Sequence, residues 1–260
     1  MDLNLPKKLE KKRGEKECMN KEKLTPETKA MTHLFEEPLR CELKKYLANF
    51  ESDDVFIDVG ACVGTSCLLM NKGQCFAFEV DPIAIEELKL NLALNPSKNI
   101  IIVEAACSNE EIGYMIQRKN KLGDTFIVKS KNIESPKTIT LDKFFTGCNM
   151  ITGHATSIVK SVNIKLIKID AEGEDYNVLQ GGKEIIRKHH PIVVVEAWNN
   201  DMENKIFMFL DELGYRCRKV GVNIIGEYNE LSLPKSVALF LFKLNKWKKI
   251  LSNKIFGVKK

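Results

Sequence analysis

Two carboxylates close apolar runs in this chain at spacings that suit the capture of a nucleoside. The stretch Val55-Phe56-Ile57-Asp58-Val59-Gly60-Ala61-Cys62-Val63-Gly64-Thr65-Ser66 runs from an apolar strand through an acid into a glycine-bearing turn. Such a turn hands a buried parallel strand to a helix where a cofactor lies against the backbone. Gly60 and Gly64 would let the backbone approach a ligand, with Ala61 between them and helix amides beyond Thr65 facing it. Asp58, at the strand's carboxyl end, can face a bound amine or hydroxyl. Glu79 closes a second apolar strand, Phe76-Ala77-Phe78, 19 residues after Gly60. A carboxylate there can accept both hydroxyls of an adenosine ribose. Dinucleotide sites read Gly-x-Gly-x-x-Gly, whereas this turn reads Asp-x-Gly-x-x-x-Gly with Cys62 in the middle glycine's place. An acid so near the turn repels a pyrophosphate and welcomes an ammonium. The pattern points to S-adenosyl-L-methionine as the cofactor and away from a nicotinamide dinucleotide.

Further residues extend the candidate site. Asp81 either joins the cofactor site or caps the helix that Pro82 opens. Ala106 and Cys107, after the third strand, are small enough to flank an adenine ring, and Ser108 can bond its edge. Asp170, Glu172 and Glu174 alternate just past a strand, so in extended geometry they point into the crevice where ligands bind. Glu172 and Glu174 also suit the positive end of a helix starting near Asp175. Asp170 is expected to face the methyl donor or the acceptor hydroxyl. Transfer to a hydroxyl needs a proton acceptor, and the candidates are Asp170, Glu196 and the loop residue His154. The acids offer no clear set of oxygen ligands, so no metal is expected.

The elements that must position these residues follow from periodicity. Thr25-Pro26-Glu27 reads as a helix start, and a helical cover spans residues 25–50, with Pro38 expected to break or kink it. From Val55 on, strands and helices alternate. Strands are predicted at 55–59, 75–79, 100–103, 164–170 and 192–196. Helices are predicted after Thr65, from Pro82 to Leu94, over 176–190 with an interruption at Gly181-Gly182, and over 201–213. The stretch 108–140 reads as loops with short antiparallel strands. Short strands near 217–225 and 236–242 complete the sheet. Such alternation means an α/β fold with a doubly wound parallel sheet, here residues 51–242.

Charge is uneven. The net +5 over 260 residues hides a lysine- and glutamate-rich segment at 1–24, expected to be mobile, and a basic tail at 243–260 with seven lysines and no acid. The part between them is net acidic, which argues against broad binding of a phosphate backbone. Written as a helix, the tail sets Leu244, Trp247, Leu251, Ile255 and Val258 on one apolar stripe among lysines. It can lie on an anionic membrane or pack on the domain. The eight cysteines form no Cys-x-x-Cys pair and no zinc spacing. Cys62, Cys67, Cys75 and Cys107 fit small buried apolar residues in a reducing compartment. No run reaches the length of a membrane span and the N-terminus is charged. The expected location is cytoplasmic, with the tail as the one route to a membrane surface.

Four segments resemble the FkbM family of S-adenosylmethionine-dependent methyltransferases: Phe56-Ile57-Asp58-Val59-Gly60-Ala61, Ala77-Phe78-Glu79-Val80-Asp81-Pro82, Thr140-Leu141-Asp142, and Leu166-Ile167-Lys168-Ile169-Asp170-Ala171-Glu172-Gly173-Glu174. The last is the most specific. Val80 departs from the proline usual there, and the segment between Asp142 and Ile164 is individual. The resemblance implies the Rossmann-like seven-stranded methyltransferase sheet, closed by an antiparallel strand at Ser236–Phe242 behind an N-terminal helical extension. It also implies O-methylation of a hydroxyl on a sugar, glycolipid or other small metabolite. The alternatives are a nucleic-acid methyltransferase, disfavoured because Asp170-Ala171-Glu172-Gly173 is not an Asn/Asp-Pro-Pro-Tyr-type loop, and a non-catalytic adenosine-binding module.

Overall fold

The computed structural model describes residues 23–26, 28–29, 37–118, 125–146 and 163–229. The loop carrying His154, the predicted strand at 236–242, the 243–260 tail and residues 1–22 lie outside the described residues.

A seven-stranded sheet forms the centre. Its strands are β1 (Asp54–Val59), β2 (Gln74–Phe78), β3 (Ile100–Val103), β6 (Asn163–Ile169), β7 (Ile192–Glu196), β8 (Tyr215–Val220) and β9 (Asn223–Tyr228). They lie in the order β3-β2-β1-β6-β7-β9-β8. The first five are mutually parallel, and β9 runs antiparallel to both β7 and β8. The sheet is thus the expected seven-stranded, Rossmann-like one. Its antiparallel strand, however, is Asn223–Tyr228, after a tight turn at Gly221 that splits the strand expected at 217–225. A separate hairpin, β4 (Tyr114–Arg118) with β5 (Thr125–Lys129), stands off the sheet.

Both faces of the sheet are covered, which is why β1 is buried at every position and is apolar except at Asp54 and Asp58. Val55, Ile57 and Val59 point to one side, against α3 (Leu141–Thr146), α4 (Asp175–Gly181), α5 (Lys183–His189) and α6 (Asn200–Glu212). Phe144 and Phe145 of α3, a helix the sequence reading does not anticipate, pack edge-on against Phe76 and Phe78. Phe56 points to the other side with Leu166 of β6, under α1 (Glu37–Leu47) and Leu88 of α2 (Pro82–Leu94).

Helix boundaries follow local chemistry. Asp81 caps α2, its Oδ1 accepting from Ile83 N at 2.9 Å, with Pro82 in the first turn. Pro38 sits in the first turn of α1, where a missing N–H costs nothing, and residues 30–36, over which the expected helix would have reached it, lie outside the described residues. The helix expected after Thr65 is only a 3₁₀ turn at Cys67–Leu69. Lys23 and Leu24 depart from the mobile segment expected there. Lys23 N donates to Asn95 Oδ1 at 3.1 Å, Leu24 is buried, and Thr25 N donates to Asn91 Oδ1 at 3.0 Å. Cys41 on α1 is disulfide-bonded, unlike the all-thiol chain that a reducing compartment implies. Cys67, Cys75 and Cys107 are buried thiols, as expected.

Candidate active site

A cavity of about 810 Å³ opens at the carboxyl ends of β1, β2, β6 and β7, where open parallel sheets bind ligands. The turn after β1 forms its floor. Gly60 N and Ala61 N both donate to the Phe78 carbonyl at 3.0 Å, so the turn is pinned to β2. Gly60 has φ +72°, and a Cβ there would lie 1.7 Å from the Asp170 carbonyl oxygen. At Gly64, with φ +88°, a Cβ would lie 2.4 Å from Leu88 Cδ1. Both glycines therefore serve the close approach of protein to protein, and Gly60 also lines the cavity. Cys62 (φ +50°) and Glu172 (φ +45°) hold left-handed backbone without being glycine, and both line the cavity. Such strain concentrates at functional sites.

Glu79 lines the cavity at 8% exposure. Its Oε1 accepts from Val80 N (2.7 Å) and Asp81 N (2.8 Å), and its Oε2 from Cys62 N (2.7 Å). Burial raises its pKa against the pull of those amides. A carboxylate offers about four acceptor positions. Three are taken, which leaves room for one ribose hydroxyl rather than the two expected. Asp81 is committed elsewhere. Besides capping α2, it accepts from Arg118 Nε (2.9 Å) and Thr125 Oγ1 (2.7 Å) and pairs with Arg118 Nη2. Burial raises its carboxyl, but the guanidinium and hydroxyl prevail and hold it below its usual value. This clasp ties the β4–β5 hairpin to the sheet, and Phe126 and Ile127 of β5 join the cavity wall.

The acidic end lies at β6 and β7. Lys168, only 3% exposed, reaches Asp170 Oδ2 at 3.0 Å and Asp58 Oδ1 at 3.7 Å. Asp58 and Lys168 are register partners across β1 and β6. Asp58 is fully buried and meets this ammonium beneath the cavity instead of facing a ligand. Glu196 accepts from Trp198 Nε1 at 2.7 Å. Burial first, then the charge and hydrogen bond of Asp170, push its pKa up to about 9. Burial and the neighbouring Asp170 carboxylate thus favour the protonated form of Glu196 and weaken it as a proton acceptor. Because its pKa rises on folding, the stability it contributes is complete below its ordinary value and drains away as pH climbs toward 9. Glu196→Gln should flatten that slope, gaining about 1–3 kcal/mol relative to the unaltered protein between pH 5 and 9. Thermal melts across that range check it, and parallel pH profiles would contradict the shared proton.

Asp175 is buried and shapes the loop after β6, accepting from Ala171 N (2.7 Å) and Gly173 N (3.1 Å). Glu174 does not cap α4 with its side chain. It accepts instead from Ser108 Oγ at 2.8 Å and Asn177 Nδ2 at 2.9 Å, so the Ser108 proton is committed to Glu174 and only its oxygen lone pairs remain to accept. Carboxylate oxygens of Asp170, Asp175 and Glu196 lie within 4.8 Å of one another, a closer set than the alternating acids Asp170, Glu172 and Glu174. Their charge is met by the Lys168 ammonium, the Glu196 proton and the two amides on Asp175.

The family model described as the methyltransferase FkbM domain matches residues 58–217, more than half of the chain. The chain belongs to the FkbM methyltransferase family. Among solved structures, the chain is similar to the FkbM methyltransferase of Methylobacillus flagellatus KT, at 15% identity and TM-score 0.48. That match covers 69% of this chain and 44% of that one, so the chain spans less than half the length of that relative. It is also similar to precorrin-6y C5,15-methyltransferase of Geobacter metallireducens GS-15, at 14% identity, TM-score 0.44 and 80% and 95% coverage. An rRNA methylase of Streptococcus thermophilus follows at 10% identity, TM-score 0.42 and 75% and 99% coverage. No curated protein matches the chain.

Of the residues singled out in sequence, the fold brings Gly60, Glu79, Asp81, Ala106, Cys107, Asp170, Glu172, Glu174 and Glu196 to the cavity lining. Asp58, Ala61, Gly64 and Ser108 are packed behind it. Sequence reading missed Lys168, Arg40 and Trp198. Lys168 left a trace, a lysine two residues after Leu166 on a strand face that helices cover. The other two left none. No helix among the described residues is long and apolar enough to cross a membrane.

Proposed function

We propose that this protein transfers the methyl group of S-adenosyl-L-methionine to a hydroxyl of a sugar, glycolipid or other small metabolite, with Asp170 taking the proton. The observation that carries the reading is the pair formed by Asp170 and Glu196 at the cavity wall, charge-compensated from below by Lys168. The cofactor fits the residues present. Glu79 keeps one acceptor position for a ribose hydroxyl, while Ala105, Ala106 and Phe126 offer small and flat surfaces for a ring. When bound, the cofactor supplies an electrophilic methyl on a sulfonium.

The chain's own residues do the rest. Asp170 accepts the acceptor's proton as its oxygen loses electron density. Lys168 balances the carboxylate beforehand, and the Glu196 proton steadies its second oxygen through their hydrogen bond. As Asp170 gains a proton, the pair passes from one shared proton to two, and the resting state returns when one leaves to solvent. Acids in the lining, including Asp170, Glu172 and Glu174, repel phosphates and weigh against a nucleic-acid acceptor. Transfer of labelled methyl groups to a panel of neutral glycans and hydroxylated metabolites, run beside RNA and DNA, tests the acceptor class. Label should appear in base-stable form on glycan or metabolite fractions only, and transfer to nucleic acid alone would overturn the small-molecule acceptor.

A further inference from the structure

We infer that Trp198 is the platform on which the methyl acceptor stacks, and that the acceptor is a neutral pyranose; this deepens the hydroxyl reading above and rests on it. Trp198 follows β7, and it is 62% exposed at the rim of the cavity. The chain holds it from three sides. Ala197 N donates to the Val222 carbonyl at 2.9 Å, Asn199 caps α6 by accepting from Met202 N at 2.9 Å, and the indole Nε1 donates to Glu196 Oε2 at 2.7 Å. The ring edge is therefore fixed while apolar surface stays in water. An indole so pinned loses little freedom when a ligand covers it.

Position and neighbours select the ligand. The strand order runs β2-β1-β6-β7-β9 beneath the cavity, so Glu79 after β2 and Trp198 after β7 stand at opposite ends, with Asp170 after β6 between them. An adenosine held at Glu79 leaves the Trp198 end for the acceptor. Glu196 links that end to the proposed base, since it bonds the indole and a carboxylate oxygen of it lies within 4.8 Å of one on Asp170. Asn223, the register partner of Glu196 across β7 and β9, lines the same end. A pyranose has an apolar C–H face for the indole and a rim of hydroxyls that carboxylates and an amide can bond. A flat aryl alcohol would use the indole and leave most of those polar groups without a partner. The acids in the lining disfavour sugar phosphates and uronates.

Methyl glycosides of glucose, galactose, mannose and rhamnose, beside catechol and sorbitol, serve as acceptors for labelled methyl transfer. At least one pyranoside should be methylated in preference to both controls. Trp198→Ala should raise its KM about tenfold and leave the affinity for S-adenosylhomocysteine within about twofold, and Trp198→Phe, which keeps a flat face and drops the bond to Glu196, should recover most of the loss. Equal losses in the two variants would reduce Trp198 to a support for Glu196. The chain has two tryptophans, so a Trp247→Phe background leaves Trp198 as the only one, and its emission should move to the blue as the pyranoside covers it. Methylation of catechol or sorbitol without any pyranoside would overturn the sugar and spare the methyltransferase reading. An unmethylated panel with no emission shift would overturn the hydroxyl reading along with it.

Discussion

Asp170→Asn is expected to leave the protein folded and able to bind S-adenosylhomocysteine while lowering turnover at least tenfold, about 1.4 kcal/mol or more of barrier. The amide keeps the shape but cannot take a proton. It also removes the charge that faces Lys168 at 3.0 Å and the partner that holds the Glu196 proton. Two readings of the site then differ in the pH profile. If Asp170 is the base, the residual activity should not recover at pH 9. If Glu196 can replace it, losing its proton once Asp170 is neutral, activity should rise with pH. Initial rates over pH 6–9 with a saturating acceptor separate the two, and near-normal turnover at pH 7 would move the base to another group.

Gly60→Ala is expected to destabilise the fold by at least about 3 kcal/mol, through overpacking against backbone added to a left-handed φ. Its Cβ would meet the Asp170 carbonyl at 1.7 Å, and neither strand end can yield. Gly60 N and Ala61 N hold Phe78 O, and Asp170 N holds Val59 O at 3.0 Å. Gly173 supplies the control. Its φ is +100° and nothing lies within 4 Å of a Cβ there, so Gly173→Ala should cost about 1 kcal/mol, the conformational part alone. Urea unfolding of both variants gives the difference, and equal losses would show that the β1–β6 contact is not what requires glycine.

What the sequence disclosed, and what it hid, divides along physical lines. Elements set by local chemistry were legible. Asp81-Pro82 and Asn95-Pro96 bracket α2, a glycine pair separates α4 from α5, and the apolar runs at 100–103 and 192–196 are strands with those bounds. Elements set by partners were not. The turn at Gly221 divides 215–228 into β8 and β9, with β9 antiparallel to both β7 and β8, a pairing that no local pattern records. The same holds within the site. Glu79 and Asp170 sit at strand ends, so their place at the cavity follows from topology alone. Asp58 lies inside its strand, one residue before the last, where β1–β6 register sets it beside Lys168. Arg40 and Trp198 reach the cavity from a covering helix and from beyond β7. Their roles depend on packing angles that spacing does not encode.

The central claim is that the cavity is built for an adenosine carrying a charged amino-acid arm, and that its acids exclude a pyrophosphate. Calorimetric titration of the purified protein with S-adenosylhomocysteine and with NAD measures this most directly, with Glu79→Ala alongside. The account predicts binding of S-adenosylhomocysteine, no detectable binding of NAD, and a loss of about 1–3 kcal/mol in the Glu79 variant, the cost of a charge-assisted hydrogen bond. NAD binding as tight as S-adenosylhomocysteine, or an unchanged affinity in a folded Glu79→Ala protein, would contradict it.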